Sequence, residues 1–444
     1  MTARGAPRLW LALGIALASL PARAEPQKRP LPDYDGRGGA PSSPERKALW
    51  VPRVLLSPLY FVSEYLVRRP LGAAITAAEK AELPAALYDF FAFGPDHSAG
   101  VVPIAFLDFG FSPSVGLYAF WDDAGFRGHD LRLRGSTWGA DWLSGTATER
   151  FRLPGAVELT LTGTATRRPD YAFYGLGPDA RESDLVRYSA NTLDAHFETR
   201  FAFAGSSAFE TATGYRSASF GPSDYERERS LDDAVRSGRL PEPPGLHDGY
   251  RALFNRARLT LDSRGNASSE SGVRVELSAE NGADLKNATP AGWLRYGGTI
   301  GAFCDLADSG RVVSLSVSTL LADPTGTGPV PFTELVQLGG PGMMPGFRAG
   351  RLADRSAAVA TLRYAWPVWV WLNGSLQVAT GNVFGARFEG FRAERGRLSA
   401  AVGIESSGSR DSIFQALVGF GTETFESGAQ LDSLRVVVGA RSGF

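Results

Sequence analysis

Four histidines (His97, His129, His196 and His247) and one cysteine, Cys304, are the side chains of this 444-residue chain best suited to proton transfer near neutral pH or to soft-metal ligation. So few ligands argue against a zinc site. A hydrolase would need serine, histidine and a third group aligned on one wall. His97 and His129 fall at the ends of predicted strands, and His247 falls in a long predicted loop. His196 alone lies inside a predicted strand, where alternation puts Asp194 and Glu198 on its face; it reads as a hydrogen-bonded wall residue, not a base. A lone cysteine excludes an intramolecular disulfide, and Cys304 sits on the apolar face of its strand. No catalytic residue, cofactor or metal is expected. With 46 basic against 47 acidic residues and a net charge of −1, nothing points to nucleic acid.

The remaining chemistry is non-covalent and concentrates in LGGPGMMPGFRAGRLADRS, residues 338–356. Gly339, Gly340, Gly342 and Gly346, with Pro345, rule out a regular element and let the backbone pass close to a wall. Phe347 offers apolar surface. Arg348, Arg351, Asp354 and Arg355 supply charges that in a confined space must find partners.

Those residues need a scaffold, and the chain changes character as it approaches them. Residues 1–24 carry a basic start, a short apolar run and an Ala22-Arg23-Ala24 cleavage pattern, which together read as a secretory signal peptide. Residues 25–47, rich in proline, glycine and charge, read as a disordered leader. Residues 48–98 carry the only helical spacings and are expected to form a short helical periplasmic or interfacial segment. Past the signal, no uninterrupted apolar run reaches the ~18 residues of a spanning helix.

From residue 99 to residue 444 the period becomes two, in about sixteen short segments separated by turn residues. An even count of antiparallel strands with alternately long and short connections is the pattern of an all-β transmembrane barrel. Along the thirteenth segment Asn373, Ser375, Gln377 and Ala379 alternate with Leu372, Leu376 and Val378, polar facing in and apolar facing out. The last segment aligns Leu434, Val436, Val438, Ala440 and the terminal Phe444 on one face, with Arg435 and Arg441 on the other. A final aromatic of this kind is the usual assembly signal, so Phe444 is expected to be read by the outer-membrane assembly machinery.

The run LGGPGMMPGFRAGRLADRSAAVATLRYAWPVW, followed by GSLQVATGNVF, resembles the late strands of the BamA/TamA superfamily of surface-antigen barrels. Phe173-Tyr174-Gly175-Leu176-Gly177 and Leu261-Asp262-Ser263-Arg264 extend the resemblance over most of residues 99–444. The resemblance implies a bacterial outer-membrane barrel that inserts or translocates polypeptides without covalent chemistry, in contact with lipid and with a client polypeptide. It also implies that the loop folds into the lumen between strands eleven and twelve. Residues 25–98 show no strands from which to build the family's POTRA modules, so the chain reads as a short member without them.

In that family an arginine precedes the Gly-aromatic pair and meets acids on the next two strands. Here Pro345 holds its place, and Arg363 and Ala379 hold the acidic positions. Joint loss of cation and carboxylates avoids leaving one of them buried and unpaired. The expectation is that Gly339 to Arg355 still enters the lumen, with Glu405 on strand fourteen meeting Arg348 and Arg351. Three functions compete on this reading: an assembly or translocation barrel, a passive or structural barrel with a plugged lumen, and an outer-membrane lipid hydrolase.

Overall fold

The computed structural model describes residue 65 and residues 90–441, less 95–96, 266–270, 287–290, 307–309, 370–371 and 407–412. The expected signal peptide, the leader, nearly all of the helical segment and Phe444 lie outside the described residues. Sixteen strands form the wall. The first eight are β1 (Ala99–Asp108), β2 (Ser114–Trp121), β3 (His129–Thr137), β4 (Leu143–Leu153), β5 (Val157–Phe173), β6 (Val186–Ala202), β7 (Ala208–Gly221) and β8 (Tyr250–Asp262). The second eight are β9 (Gly272–Asp284), β10 (Gly292–Asp305), β11 (Val312–Pro324), β12 (Ser356–Trp369), β13 (Leu372–Phe384), β14 (Arg397–Ser406), β15 (Ile413–Thr422) and β16 (Leu431–Arg441). Each pairs antiparallel with the next, and β16 pairs with β1 to close the barrel.

Closure is what this sequence requires. Leu161, Phe197, Leu253, Leu277, Ile300, Leu315, Leu362 and Leu434 point outward and are exposed, while Arg132, Arg150, Arg187, Arg397 and Arg435 are buried inside. That order is inverted from a soluble sandwich and suits a lipid solvent, which offers an open sheet edge no hydrogen-bond partner. Among the described residues no helix is long and apolar enough to cross a membrane.

All sixteen predicted strands are present in the predicted order, with differences at their ends. β5 and β6 run 17 residues each, well into what the sequence presents as loop. A bulge between Arg168 and Tyr171 absorbs Pro169, and pairing resumes at Tyr171–Tyr188, whose rings stack at 5.3 Å. A two-residue strand, Ala92–Phe93, pairs with Ala99 and Gly100 at the start of β1. The loop between β11 and β12 is not wholly irregular either, since Val336–Leu338 and Leu352–Asp354 form a short ladder at its neck.

The apolar core of this barrel sits at the long-loop end. Residues from β5 to β8 and β10 pack there with Leu231 and Ala234 of the short helix α1 (Leu231–Arg236), with Leu246, and with Val330, Phe332 and Leu335. The connections 222–249 and 325–355 therefore fill the mouth, and a second cluster joins Tyr174, Ala180 and Leu185 of 174–185 to Phe111. From the sequence, residues 338–356 and the N-terminal helical segment are the expected fillers of the lumen; most of that segment lies outside the described residues.

Candidate functional site

The loop enters the lumen in two arms. The upstream arm is pinned by charge and by rings. Phe332, 1% exposed, meets Phe173, Tyr188 and Phe220 with centroids 4.8–5.6 Å away. Glu334 lies 2.9 Å from Arg216 of β7 and 3.1 Å from Arg295 of β10, and accepts a hydrogen bond from the Tyr250 hydroxyl. The same arginines meet Glu280, and Arg216 also meets Asp194 at 2.9 Å. His196 is a member of this network, its Nδ1 2.7 Å from Asp194.

The apex docks on the opposite wall. Phe347 is fully buried among Leu338, Met344, Leu352, Ala379 and Val383. The Gly346 N–H donates to Ser399 Oγ of β14 at 2.8 Å, and the Gly346 carbonyl accepts from Ser433 Oγ of β16 at 2.8 Å. Glycine is required at 346 because a Cβ there would stand 2.0 Å from the Phe420 carbonyl oxygen. Pro345 is buried, and its carbonyl accepts from Arg435 at 3.2 Å.

The basic tail of the loop crosses toward the β5–β6 connection. Arg351, with no exposed surface, donates to Asp432 at 2.5 Å and to the Ala180 carbonyl at 2.7 Å, and lies over the Tyr174 ring. Arg348 donates to Glu182 at 3.0 Å, and Arg351 Nε lies 3.2 Å from the same carboxylate. Burial raises the Glu182 carboxyl above its usual range against the pull of both arginines, and it pushes the Tyr174 hydroxyl up to about 12. Arg355 turns back to Asp323 at 2.9 Å, while Asp354 takes the Arg355 N–H. Gly339 and Gly340 hold left-handed backbone at the neck, and Gly342 is exposed at the tip.

One expectation is overturned. Glu405 does not meet Arg348 or Arg351; it pairs with Arg363. The register gives the reason. The loop apex sits on the row Thr361–Ala379–Ser399, whereas Glu405 faces Asn373, six residues further down β14. At roughly 3.3 Å per residue that is about 20 Å away. Arg363 and Glu405 are thus lumenal wall residues below the loop, and of the three expected wall positions only Ala379 packs with it.

The structure also supplies partners absent from the sequence reading. Arg435 of β16 has no exposed surface and grips Asp108 of β1 in a bidentate pair, at 3.1 and 2.8 Å. Its remaining nitrogen donates to the carbonyls of Gly340, at 2.7 Å, and of Pro345. A usable signal existed: in a closed barrel the first and last strands are neighbours, and Arg435 and Asp108 are opposite charges near their ends. Glu182, Asp432, Ser399 and Ser433 carried no such signal.

The pairing around Arg435 is sparse. Among the described residues, β16 and β1 share only Val437–Asp108, Val438–Leu107 and Gly439–Phe106, plus a bond from the Phe109 N–H to the Val436 carbonyl at 3.0 Å. Below the loop, the lumen wall of β6–β9 carries a ladder of paired charges: Arg256–Glu198, Arg200–Glu210, Arg258–Glu210 and Arg274–Glu276. Beside it, Ser144, Thr146 and Thr148 hydrogen-bond to Thr166, Thr164 and Thr162 across β4 and β5.

No family model matches the sequence, and no curated protein matches it. Solved structures do match. BamA from Haemophilus ducreyi lacking POTRA domains 1–3 is similar with a TM-score of 0.53 at 16% identity, over 77% of this chain and 70% of that one. CdiB from Acinetobacter baumannii is similar with a TM-score of 0.48 at 12% identity, over 77% of this chain and 59% of that one. At these identities the likeness is one of fold. The chain is a closed antiparallel β-barrel of sixteen strands, and its fold is similar to the one the BamA structure displays.

Proposed function

We propose that this chain is a bacterial outer-membrane barrel that assists the assembly or transport of other polypeptides by opening its seam, without covalent chemistry. The observation that carries this reading is the contrast in strand pairing around the wall. β5 and β6 are in register along nearly their whole length, while β16 and β1 share a short stretch near one end. Among the described residues, parting β16 from β1 breaks far fewer main-chain hydrogen bonds than parting β5 from β6, and so leaves fewer backbone groups without a partner in lipid. A parted edge is a template on which an incoming strand adds by main-chain hydrogen bonding. The packed mouth argues against free diffusion through the lumen and favours this reading over an open pore. The charged and hydroxyl-lined lumen below the loop suits a hydrated polypeptide better than an apolar solute.

The test is reconstitution in liposomes with an unfolded eight-stranded outer-membrane protein supplied from outside. Leu107→Cys and Val438→Cys, in a Cys304→Ser background, place two thiols on directly paired residues. Oxidation should abolish any acceleration of client folding, and reductant should restore it. Equal acceleration with the seam locked, or none with it free, contradicts the proposal.

A further inference from the structure

We infer that Arg435 couples the lumenal loop to the seam, so that the seam parts only when the loop apex is released. This regulation rests on the seam reading above for its purpose, but not for its physical content. The guanidinium serves two partners at once. Nε and one terminal nitrogen hold Asp108, across the seam; the other terminal nitrogen holds two loop carbonyls, Gly340 and Pro345. Arg435 has no exposed surface and Asp108 is 6% exposed, so neither group gains a water partner without a structural change. If β1 moves away, a buried cation loses the carboxylate that pairs with it and becomes costly where it stands. Relief requires Arg435 to follow Asp108 or reach solvent, and either path removes the donor from the loop. The converse also holds: withdrawing the apex strips the cation of two acceptors that help fix its orientation toward Asp108.

Chain geometry reinforces the link. Ser433, two residues before Arg435 on the same inward row of β16, holds the Gly346 carbonyl. A Cβ at Gly419 of β15 would stand 2.9 Å from Gly346 Cα, so the apex backbone lies directly on the wall strand next to β16. At Arg435, Ser433 and Ser399 the wall reads loop main chain, through carbonyls and one N–H. A loop with proline in place of a basic residue can therefore still be held, because the cation is supplied by the strand.

The experiment reads loop exposure with the seam free or locked. Met344→Cys in a Cys304→Ser background places a thiol at a fully buried loop position, to be labelled by a bulky membrane-impermeant maleimide. Leu107→Cys with Val438→Cys adds the disulfide lock. With Arg435 intact, locking the seam should slow labelling by about tenfold, and reductant should restore the rate. In Arg435→Gln the unlocked rate should rise by about tenfold, and the lock should no longer slow it. Asp108→Asn, nearly isosteric, keeps the inference testable should the arginine variant fail to fold: it should weaken the effect of the lock while Arg435 still holds the loop. A lock that slows labelling equally in all three proteins, or that has no effect with Arg435 intact, overturns the coupling. Because no client is present, these outcomes are independent of the assembly reading. That reading falls instead if client folding ignores the lock.

Discussion

The β5–β8 wall and the β16–β1 seam close the same barrel by different physics. The wall is long, paired almost throughout, and backed by a hydrophobic cap in which Phe332, Tyr188, Trp293 and Leu231 are nearly or wholly removed from solvent. Among the described residues the seam has few paired positions, and its inner side is held by the buried Arg435–Asp108 pair and the carbonyls of a loop. Burial is non-directional and forgiving; a bidentate ion pair with no access to water is specific and fails abruptly when misaligned. One side of this barrel is held chiefly by apolar burial, the other by a few directional bonds.

Substitutions can break that contrast from either side. The largest effect is expected at the cap. Phe332→Ala should cost about 3–5 kcal/mol of cap packing and raise single-channel conductance, while the detergent-folded barrel keeps its heat-modifiable gel mobility, because the wall bonds remain. On the seam side, Phe347→Ala should cost about 3 kcal/mol, since hydrogen bonds at Gly346 continue to hold the apex. It should speed maleimide labelling at position 344 without a comparable rise in conductance, as the cap still fills the mouth. Arg351→Gln should cost about 2 kcal/mol through its lost charge-assisted bonds to Asp432 and Ala180, read as a lower urea midpoint for loop release.

The smallest effect is a pH dependence. Burial raises the Glu182 carboxyl, so its contribution to docking is fully present below the unfolded value and is lost as pH rises through the higher folded value. The melting temperature of the parent protein should therefore fall, relative to that of Glu182→Gln, as pH climbs from the acidic range toward neutral. A relative rise would reverse the sign assigned to this group.

Much of the architecture was legible in sequence because its causes are local. Period-two alternation and turn residues place a strand without knowledge of its neighbours, and a lipid solvent makes the apolar row face outward. The resemblance in residues 338–369 likewise placed the loop between β11 and β12. Contacts between distant residues were not legible. Arg397 donates to the carbonyls of Pro178 and Ala180, and Asn382 to Pro178, across the mouth of the barrel. Main-chain carbonyls carry no sequence signature. The Glu405 expectation failed for a related reason: parity fixes a face but not a height, and Glu405 stands on the right face six residues too low. Arg435 was assigned to its face and given no role, because its meaning depends on strands one and sixteen being neighbours.

The claim on which the rest depends is that the seam is the weak point of a strongly built wall, and amide hydrogen exchange of the folded barrel in lipid tests it residue by residue. Protection should be lowest where β1 and β16 meet, at Phe106–Asp108 and Val437–Gly439, with exchange at least about tenfold faster than in paired residues at the middle of β6 and β7. Disulfide bonding of Leu107→Cys to Val438→Cys should bring the seam amides to the level of the far wall. Equal protection at the seam and in β6–β7 of the unlocked protein would contradict the account.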